Sequence, residues 1–183
     1  AHELRSSVFL LGSVISRCHM AKIAYPGGCD IGLRPVDLHL TGLKRLGVEI
    51  TEKNGYILCK CDKLRGNEIM LDCPSVGATE NIMLASVKAE GVTVIRNAAR
   101  EPEIEDLQKF LNSIGAKVSG AGSGTVRIDG VKELCGCAYL PIPDRIEAGT
   151  FLIAAAMCGG EVSVENVCPE NISSLIHKLR ENG

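Results

Sequence analysis

The residue best placed for chemistry is a cysteine in a glycine-rich segment. Cys29 lies within residues 26–32, which contain a proline and three glycines, and such residues interrupt helices and strands. We therefore expect an exposed loop, where a thiol can act as a nucleophile or an acid. Arg34, five residues further on, would favour the thiolate or bind an anion. The alternative interpretation is a glycine-rich turn that contains an incidental cysteine.

A helix is predicted directly after this loop. Leu40, Leu43 and Leu46 recur every three residues, and Gly47 is typical of a helix C-terminus. The helix would begin after Pro35, and the free backbone N–H groups of a helix start attract anions. The segment lacks the Gly-Lys-Ser/Thr ending of a phosphate-binding P-loop.

The other cysteines are interpreted as reduced side chains. The chain has nine cysteines, an odd number, and no signal peptide precedes them, which favours a reducing cytoplasm. The apolar run 151–158 is far too short to span a bilayer. Cys59 and Cys61, like Cys135 and Cys137, are separated by one residue. Zinc sites commonly use a two-residue spacing, so we expect each pair to pack on one face of a strand.

Composition excludes one class of partner. The chain of 183 residues is 45% hydrophobic with a formal net charge of −2, as in ordinary folded proteins, and only 3% of its residues are aromatic. It therefore has neither the basic surface nor the stacking side chains that nucleic-acid binding requires, and we expect no nucleic-acid partner.

The sequence repeats with a period of 68 residues. Gly47, Gly115 and Gly183 each follow a helical pattern, and two short strand patterns follow the first two glycines. A second type of helix, at 79–89 and 146–158, precedes strand patterns at 92–95 and 162–164. We predict an α/β fold of α+β repeat units, with helices covering a mixed sheet. The chain would hold about two and a half units and end inside the third.

The cysteine loop and four further motifs resemble the UDP-N-acetylglucosamine enolpyruvyl transferases. The loop match runs from Pro26 to His39. The other matching motifs are residues 5–7, 75–79, 97–104 and 143–150. The family that makes 5-enolpyruvylshikimate 3-phosphate shares the fold but lacks the cysteine loop, so it is the weaker match.

The resemblance implies an inside-out α/β barrel of the enolpyruvyl transferase type, incomplete in this chain. Members of the family have two such barrels, each of three units, with the active site in the cleft between them. Residues 1–143 would be two units of the cysteine-loop domain. Residues 144–183 would be the crossover and the first part of a unit of the other domain.

The resemblance also implies an activity. The family transfers the enolpyruvyl group of phosphoenolpyruvate to the 3′-hydroxyl of UDP-N-acetylglucosamine, without metal or cofactor, in the bacterial cytoplasm. This is the first committed step of peptidoglycan synthesis. The family's N-terminal lysine, downstream arginines and general base lie outside this chain. The implied partners are therefore both substrates and the remaining half of the enzyme, and we expect negligible turnover from this chain alone.

Site residues follow from the resemblance, position by position. Cys29 would be the proton donor to phosphoenolpyruvate, the atom that forms a covalent adduct with it, and the target of fosfomycin. Arg5 and Arg34 would clamp phosphate or carboxylate groups. The chain has Cys73–Pro74 where the family commonly has a lysine. The remaining predicted substrate-binding residues are Pro35, Val36, Asp37, Leu38, Ser75, Val76, Gly77 and Arg145.

Two other functions remain open at this point. One is a non-catalytic module that binds nucleotide sugars. The other is a redox-active cysteine protein, which would form a disulfide or a sulfenic acid at Cys29 under mild oxidant.

Overall fold

The chain forms two compact units, Ala1–Tyr139 and Leu140–Gly183. The computed structural model describes the backbone of residues 5–25 and 36–182, and the side chains of residues 7–25 and 36–182. The helices are a 3₁₀ turn (Arg5–Phe9), α1 (Leu10–Cys18), α2 (Asp37–Arg45), α3 (Val76–Ser86), α4 (Pro102–Ser113), α5 (Arg145–Cys158), a second 3₁₀ turn (Pro169–Ile172) and α6 (Ser173–Glu181). The strands are β1 (Met20–Ala24), β2 (Glu49–Lys53), β3 (Tyr56–Lys60), β4 (Glu68–Met70), β5 (Val92–Arg96), β6 (Lys117–Ser119) and β7 (Thr125–Asp129).

The first sheet is antiparallel, with strand order β1-β3-β2. Asn54 and Gly55 join β2 to β3 and both have a positive φ, as a two-residue hairpin turn of type I′ requires. Cys59 on β3 is fully buried, and Cys61 is half-buried just beyond the strand. Cys59 therefore lies in a strand, as expected, whereas Cys61 lies one residue beyond the strand and packs, partly buried, against the same core.

The second sheet is mixed, as predicted, with order β4-β5-β7-β6. β4 pairs with β5 in parallel, and the other pairs are antiparallel. The expectation for the second cysteine pair is wrong, because Cys135 and Cys137 lie in an irregular, exposed segment. Their thiols instead contact the C-terminal end of α4. The Cys135 thiol donates to the Ile114 carbonyl at 3.2 Å, and the Cys137 sulfur lies 3.1 Å from the Ser113 hydroxyl oxygen.

The 68-residue repeat is confirmed for its first two copies. The order β1-β3-β2 of the first sheet corresponds to β5-β7-β6 of the second. Gly47 and Gly115 have φ of 93° and 96°, a left-handed conformation that glycine adopts without strain. The same hydrogen bonds close the two preceding helices. In each, the residue after the glycine, Val48 or Ala116, donates its N–H to the carbonyl of the residue five positions earlier. Gly183 lies outside the described residues.

The core of the first unit surrounds α3. This helix buries residues on all its sides, because α1, α2 and a sheet pack around it. Two glycines allow this close approach. A Cβ atom at Gly12 of α1 would overlap the carbonyl oxygen of Asn81, and one at Gly42 of α2 would overlap the Ile82 side chain. The buried residues of α3 are Ala78, Thr79, Asn81, Ile82, Met83, Ala85 and Ser86.

In the described residues of the second unit, helices are the only regular secondary structure, and irregular segments connect them. The Asp144 carboxylate caps α5 by accepting hydrogen bonds from the N–H groups of Ile146 and Glu147, at 2.8 and 3.1 Å. The predicted strand at 162–164 is not formed. A strand needs a partner, and the described part of this unit contains no strand that could pair with it. None of the described helices is long and apolar enough to cross a membrane.

Candidate functional site

The predicted site residues fall into three groups. Cys29, Arg34 and Pro35 lie outside the described residues, and the side chain of Arg5 is likewise not described. Arg145 is the first residue of α5, in the second unit. The first unit contains the others, which occupy the starts of two helices: Val36, Asp37 and Leu38 begin α2, while Ser75, Val76 and Gly77 begin α3.

The start of α2 presents backbone N–H groups. Val36 precedes the helix, is buried, and has no polar side chain with which to cap it. Its carbonyl accepts a hydrogen bond from the Leu40 N–H at 3.1 Å, which closes the first turn. The N–H groups of Asp37 and Leu38 precede this bond and have no acceptor within the helix. A helix start of this kind is suited to binding an anion.

The start of α3 has a side-chain cap. The Ser75 hydroxyl oxygen accepts a hydrogen bond from the Ala78 N–H at 3.3 Å, and the Ser75 carbonyl accepts one from Thr79 at 2.9 Å. The N–H groups of Val76 and Gly77 are therefore the first-turn donors that this cap does not use. The first segment lies at a helix start, as we predicted, and the second lies at the start of a helix that begins three residues earlier than the predicted 79–89.

The two helix starts are neighbours. A Cβ atom at Gly77 would lie 2.6 Å from Cζ of Phe9 and 3.0 Å from Cε1 of His39, so a larger residue at this position would displace one of these rings. Phe9 and His39 themselves make an edge-to-face contact, with ring centroids 5.6 Å apart. The structure therefore brings Val36–Leu38 and Ser75–Gly77 together, although 37 or more residues separate them in the sequence.

A residue that the sequence analysis did not single out links these segments. Asn81 on α3 is fully buried. Its Oδ1 accepts a hydrogen bond from the Gly12 N–H at 2.5 Å, and its Nδ2 donates to the Val8 carbonyl at 3.0 Å. Nδ2 also lies 3.1 Å from Nδ1 of His39. Since its partners are 42 to 73 residues away, no local sequence pattern marks this asparagine.

One acidic side chain near the start of α3 has a shifted pKa. Burial, together with the nearby carboxylates of Glu103 and Glu101, raises the pKa of Glu80 from 4.5 to about 7. This carboxyl group therefore carries less negative charge at neutral pH than an exposed glutamate would. A reduced negative charge is favourable one turn away from helix N–H groups that could bind an anion.

The motif at residues 97–104 fixes a loop against α3. Asn97 has a φ of 55°, and its Nδ2 donates to the Leu71 carbonyl at 2.9 Å. The Ala99 N–H donates to the Thr79 hydroxyl at 3.1 Å. The first residues of this motif therefore connect β5 to the helix that carries Ser75–Gly77.

The described cysteines are all reduced. Burial, with a smaller effect of Cys61, raises the pKa of the Cys59 thiol to about 11. Burial and the nearby Asp62 also raise the pKa of Cys61. Both changes disfavour the thiolate that nucleophilic chemistry requires. Within residues 5–25 and 36–182, no group of three or more His, Cys, Asp or Glu side chains is arranged to hold a metal ion.

Solved structures show which fold this is. The enolpyruvyl transferase NikO from Streptomyces tendae matches with a TM-score of 0.70 and 24% identity, over 83% of this chain and 36% of that protein. An EPSP synthase from Acinetobacter baumannii matches with a TM-score of 0.71 and 22% identity, over 98% of this chain and 41% of that protein. The chain therefore has the α/β fold of the enolpyruvyl transferases. Its described residues form two open sheets and not a closed barrel.

Family membership follows from the sequence. The model of the EPSP synthase (3-phosphoshikimate 1-carboxyvinyltransferase) family matches residues 1–183, and the chain belongs to this family.

Curated relatives are similar over almost the whole chain. UDP-N-acetylglucosamine 1-carboxyvinyltransferase 2 of Caldanaerobacter subterraneus subsp. tengcongensis is 62% identical over 180 residues, which are 98% of this chain and 43% of the relative. UDP-N-acetylglucosamine 1-carboxyvinyltransferase 1 of Symbiobacterium thermophilum is 59% identical, over 99% of this chain and 41% of the relative. UDP-N-acetylglucosamine 1-carboxyvinyltransferase 2 of Bacillus subtilis is 54% identical, over 99% of this chain and 42% of the relative. The chain thus spans less than half the length of these relatives.

Proposed function

We propose that this chain is part of an enzyme that transfers the enolpyruvyl group of phosphoenolpyruvate to the 3′-hydroxyl of UDP-N-acetylglucosamine and releases phosphate. The observation that carries the proposal is the 62% identity, over 98% of the chain, to a relative named for this carboxyvinyl transfer. The juxtaposed helix starts of α2 and α3 support it, since their N–H groups suit the oxygens of a diphosphate.

In this proposal the site residues act in two groups. The uridine diphosphate is lined by two segments. One is Pro35, Val36, Asp37 and Leu38, and the other is Ser75, Val76 and Gly77. The Cys29 thiol donates a proton to the C3 methylene of phosphoenolpyruvate, and its sulfur is the atom that fosfomycin alkylates. Arg5, Arg34 and Arg145 hold phosphate or carboxylate groups, for which a guanidinium is suited by its two parallel N–H donors.

The proposed partners are the two substrates and the remaining part of the enzyme. We assign residues 1–143 to the cysteine-loop domain and residues 144–183 to the other domain. In the structure, the boundary between the two compact units lies four residues before this domain boundary, after Tyr139. The proposed place of action is the bacterial cytoplasm, where the precursors of the cell wall are made. The proposed process is peptidoglycan synthesis, which contributes to the cell cycle and cell division.

A chimera tests the proposed activity. The matching region of the Caldanaerobacter enzyme is replaced by this chain, and phosphate release from phosphoenolpyruvate is measured with and without UDP-N-acetylglucosamine. We expect release that depends on the nucleotide sugar, and a loss of about 10²–10⁴-fold in the Cys29→Ala variant, the range for removing a general acid. Cys18→Ala, which changes an exposed thiol on α1, is the control and should leave the rate unchanged.

Two outcomes would contradict the proposal. A stably folded chimera without phosphate release would refute the activity, and equal rates for Cys29→Ala and Cys18→Ala would refute the role of Cys29. Binding of UDP-N-acetylglucosamine without turnover would instead identify a nucleotide-sugar-binding module.

Alkylation of the isolated chain tests the cysteine loop separately. We expect fosfomycin to add one mass increment, located on Cys29 by peptide mass spectrometry. The other eight cysteines of the chain are internal controls. Alkylation spread evenly over all nine would show that Cys29 has no special reactivity.

A further inference from the structure

The orientation of the Asn81 carboxamide is fixed by two backbone groups. The Gly12 N–H can only donate, so the atom 2.5 Å from it must be the carboxamide oxygen. The Val8 carbonyl can only accept, so the atom 3.0 Å from it must be the carboxamide nitrogen. Exchanging oxygen and nitrogen would leave both backbone groups without a partner at a fully buried position, which is costly.

This orientation determines where His39 carries its proton. The Asn81 nitrogen lies 3.1 Å from Nδ1 of His39, and an amide nitrogen donates but does not accept. Nδ1 must therefore be the acceptor, and the proton of the neutral imidazole is on Nε2. The same contact orients the ring so that Cε1 faces Gly77 at the start of α3.

The partners of Asn81 lie on the segments that carry the predicted site residues. Val8 belongs to the 3₁₀ turn that begins at Arg5. His39 follows Val36–Leu38 in the first turn of α2. Asn81 itself lies one turn after Ser75–Gly77 on α3. A single side chain thus connects the three segments.

We propose that Asn81 is a positioning residue for the nucleotide-sugar site. It sets the spacing between the starts of α2 and α3 and keeps His39 in the tautomer with its proton on Nε2. This inference rests on the proposed function for its ligand. The tautomer of His39 can be measured without any ligand.

The first experiment reads the tautomer by NMR in the isolated chain labelled with ¹⁵N-histidine. In the wild type, we expect the His39 signals of a neutral ring with bare Nδ1 and protonated Nε2. In Asn81→Asp, the introduced carboxylate can only accept, so we expect the proton on Nδ1. In Asn81→Leu, which removes the donor, we expect a mixture of tautomers. A wild-type spectrum with Nδ1 protonated, or identical spectra for all three proteins, would overturn the inference.

The second experiment measures the affinity of the chimera for UDP-N-acetylglucosamine by calorimetry. We expect Asn81→Leu and Asn81→Asp to weaken binding about tenfold, because the two helix starts lose their fixed spacing. The matched control is Thr79→Val on the same helix. It removes another buried hydrogen bond, but one that leads to Ala99 and not to α1 or α2.

The outcomes distinguish a positioning role of Asn81 from a purely stabilising role. They also distinguish failure of the positioning role from failure of the proposed function. If Asn81 only stabilises the fold, its variants and Thr79→Val will lower the melting temperature alike and leave the affinity of the folded protein unchanged, which would overturn the inference. If Asn81→Leu does not fold, the near-isosteric Asn81→Asp decides. No binding by the wild-type chimera would refute the proposed function, whereas wild-type affinity in the Asn81 variants would refute the positioning role alone.

Discussion

Glu80 illustrates how burial and like charge combine on a single carboxyl group. It is half-buried on α3, and the carboxylates of Glu103 and Glu101 act on it from the start of α4. Both effects disfavour its ionised form, and its pKa rises from 4.5 to about 7. The folded state therefore binds a proton at this position more tightly than the unfolded chain does.

This shift predicts how stability depends on pH. Because the folded-state pKa is the higher one, the contribution of Glu80 is fully present below about pH 4.5 and is lost as the pH rises through about 7. We expect the melting temperature of Glu80→Gln to fall less than that of the wild type between pH 5 and pH 8. Glu52→Gln, at an exposed position on β2, should parallel the wild type. Parallel curves for Glu80→Gln and the wild type would show that the pKa is not raised.

At the level of secondary-structure elements, glycines set the distances between helices. Gly12 lets α1 lie directly against the backbone of α3, and a Cβ atom at this position would overlap the Asn81 carbonyl oxygen. Backbone cannot move aside as a flexible side chain can. The helices would have to separate, and the hydrogen bond from the Gly12 N–H to Asn81 would be stretched.

We therefore expect Gly12→Ala to lower the free energy of unfolding by about 1–3 kcal/mol, the usual cost of overpacking. Gly136→Ala is the matched control, because a Cβ atom there would meet nothing within 4 Å and its change should stay within about 0.5 kcal/mol. Urea denaturation of the three proteins measures both values. Equal stability of Gly12→Ala and the wild type would mean that α1 and α3 are less tightly packed than described.

The sequence predicted the elements whose signals are local. The leucine spacing of α2 and the glycines that follow α2 and α4 indicated both helices and their C-terminal ends, and the short strand patterns after these glycines indicated β2, β3, β6 and β7. β4 was missed because three residues are too few to show an alternating pattern. The strand at 162–164 was predicted wrongly because apolar β-branched residues favour a strand only where a partner strand is present.

The candidate site likewise has features that local sequence patterns predict and features that they do not. That residues 36–38 lie at a helix start follows from local patterns, and the structure confirms it, whereas the helix that begins at Val76 was predicted to begin only at residue 79. That the two starts are adjacent was implied only by the family resemblance, and no local pattern shows it, because adjacency depends on how α1, α2 and α3 pack. Asn81 shows the limit most clearly. An asparagine within a helix has no sequence signature, and its importance lies in partners far along the chain.

At the scale of the whole chain, the two units differ in how much they bury. The first unit has a continuous core around α3. Among the described residues of the second unit, only Ala148, Gly149 and Ile172 are buried. Large apolar side chains of α5 remain accessible, with Phe151 at 55% and Met157 at 80% exposure. Helices with so little burial depend on weak local interactions.

This difference predicts unequal protection against hydrogen exchange. In the isolated chain, we expect the amides of α5 and α6 to exchange through local opening, and those of α3, β5 and β7 only through opening of the whole first unit. Exchange measured by mass spectrometry should therefore be complete in α5 and α6 while α3 is still protected. Similar protection in both units would contradict this prediction and indicate that they unfold together.

The bonds from Asn81 to Gly12 and Val8 also have a consequence for synthesis on the ribosome. They join residues 69 and 73 positions apart, so α1 and the first sheet cannot complete their packing until α3 has been made. At roughly 5–20 residues per second, this delay amounts to several seconds. During that time the apolar face of α1, including Leu11 and Ile15, has no α3 to cover it. The nascent chain is then exposed to misassembly, and α1 and the first sheet complete their packing only after the middle of the first unit has been synthesised.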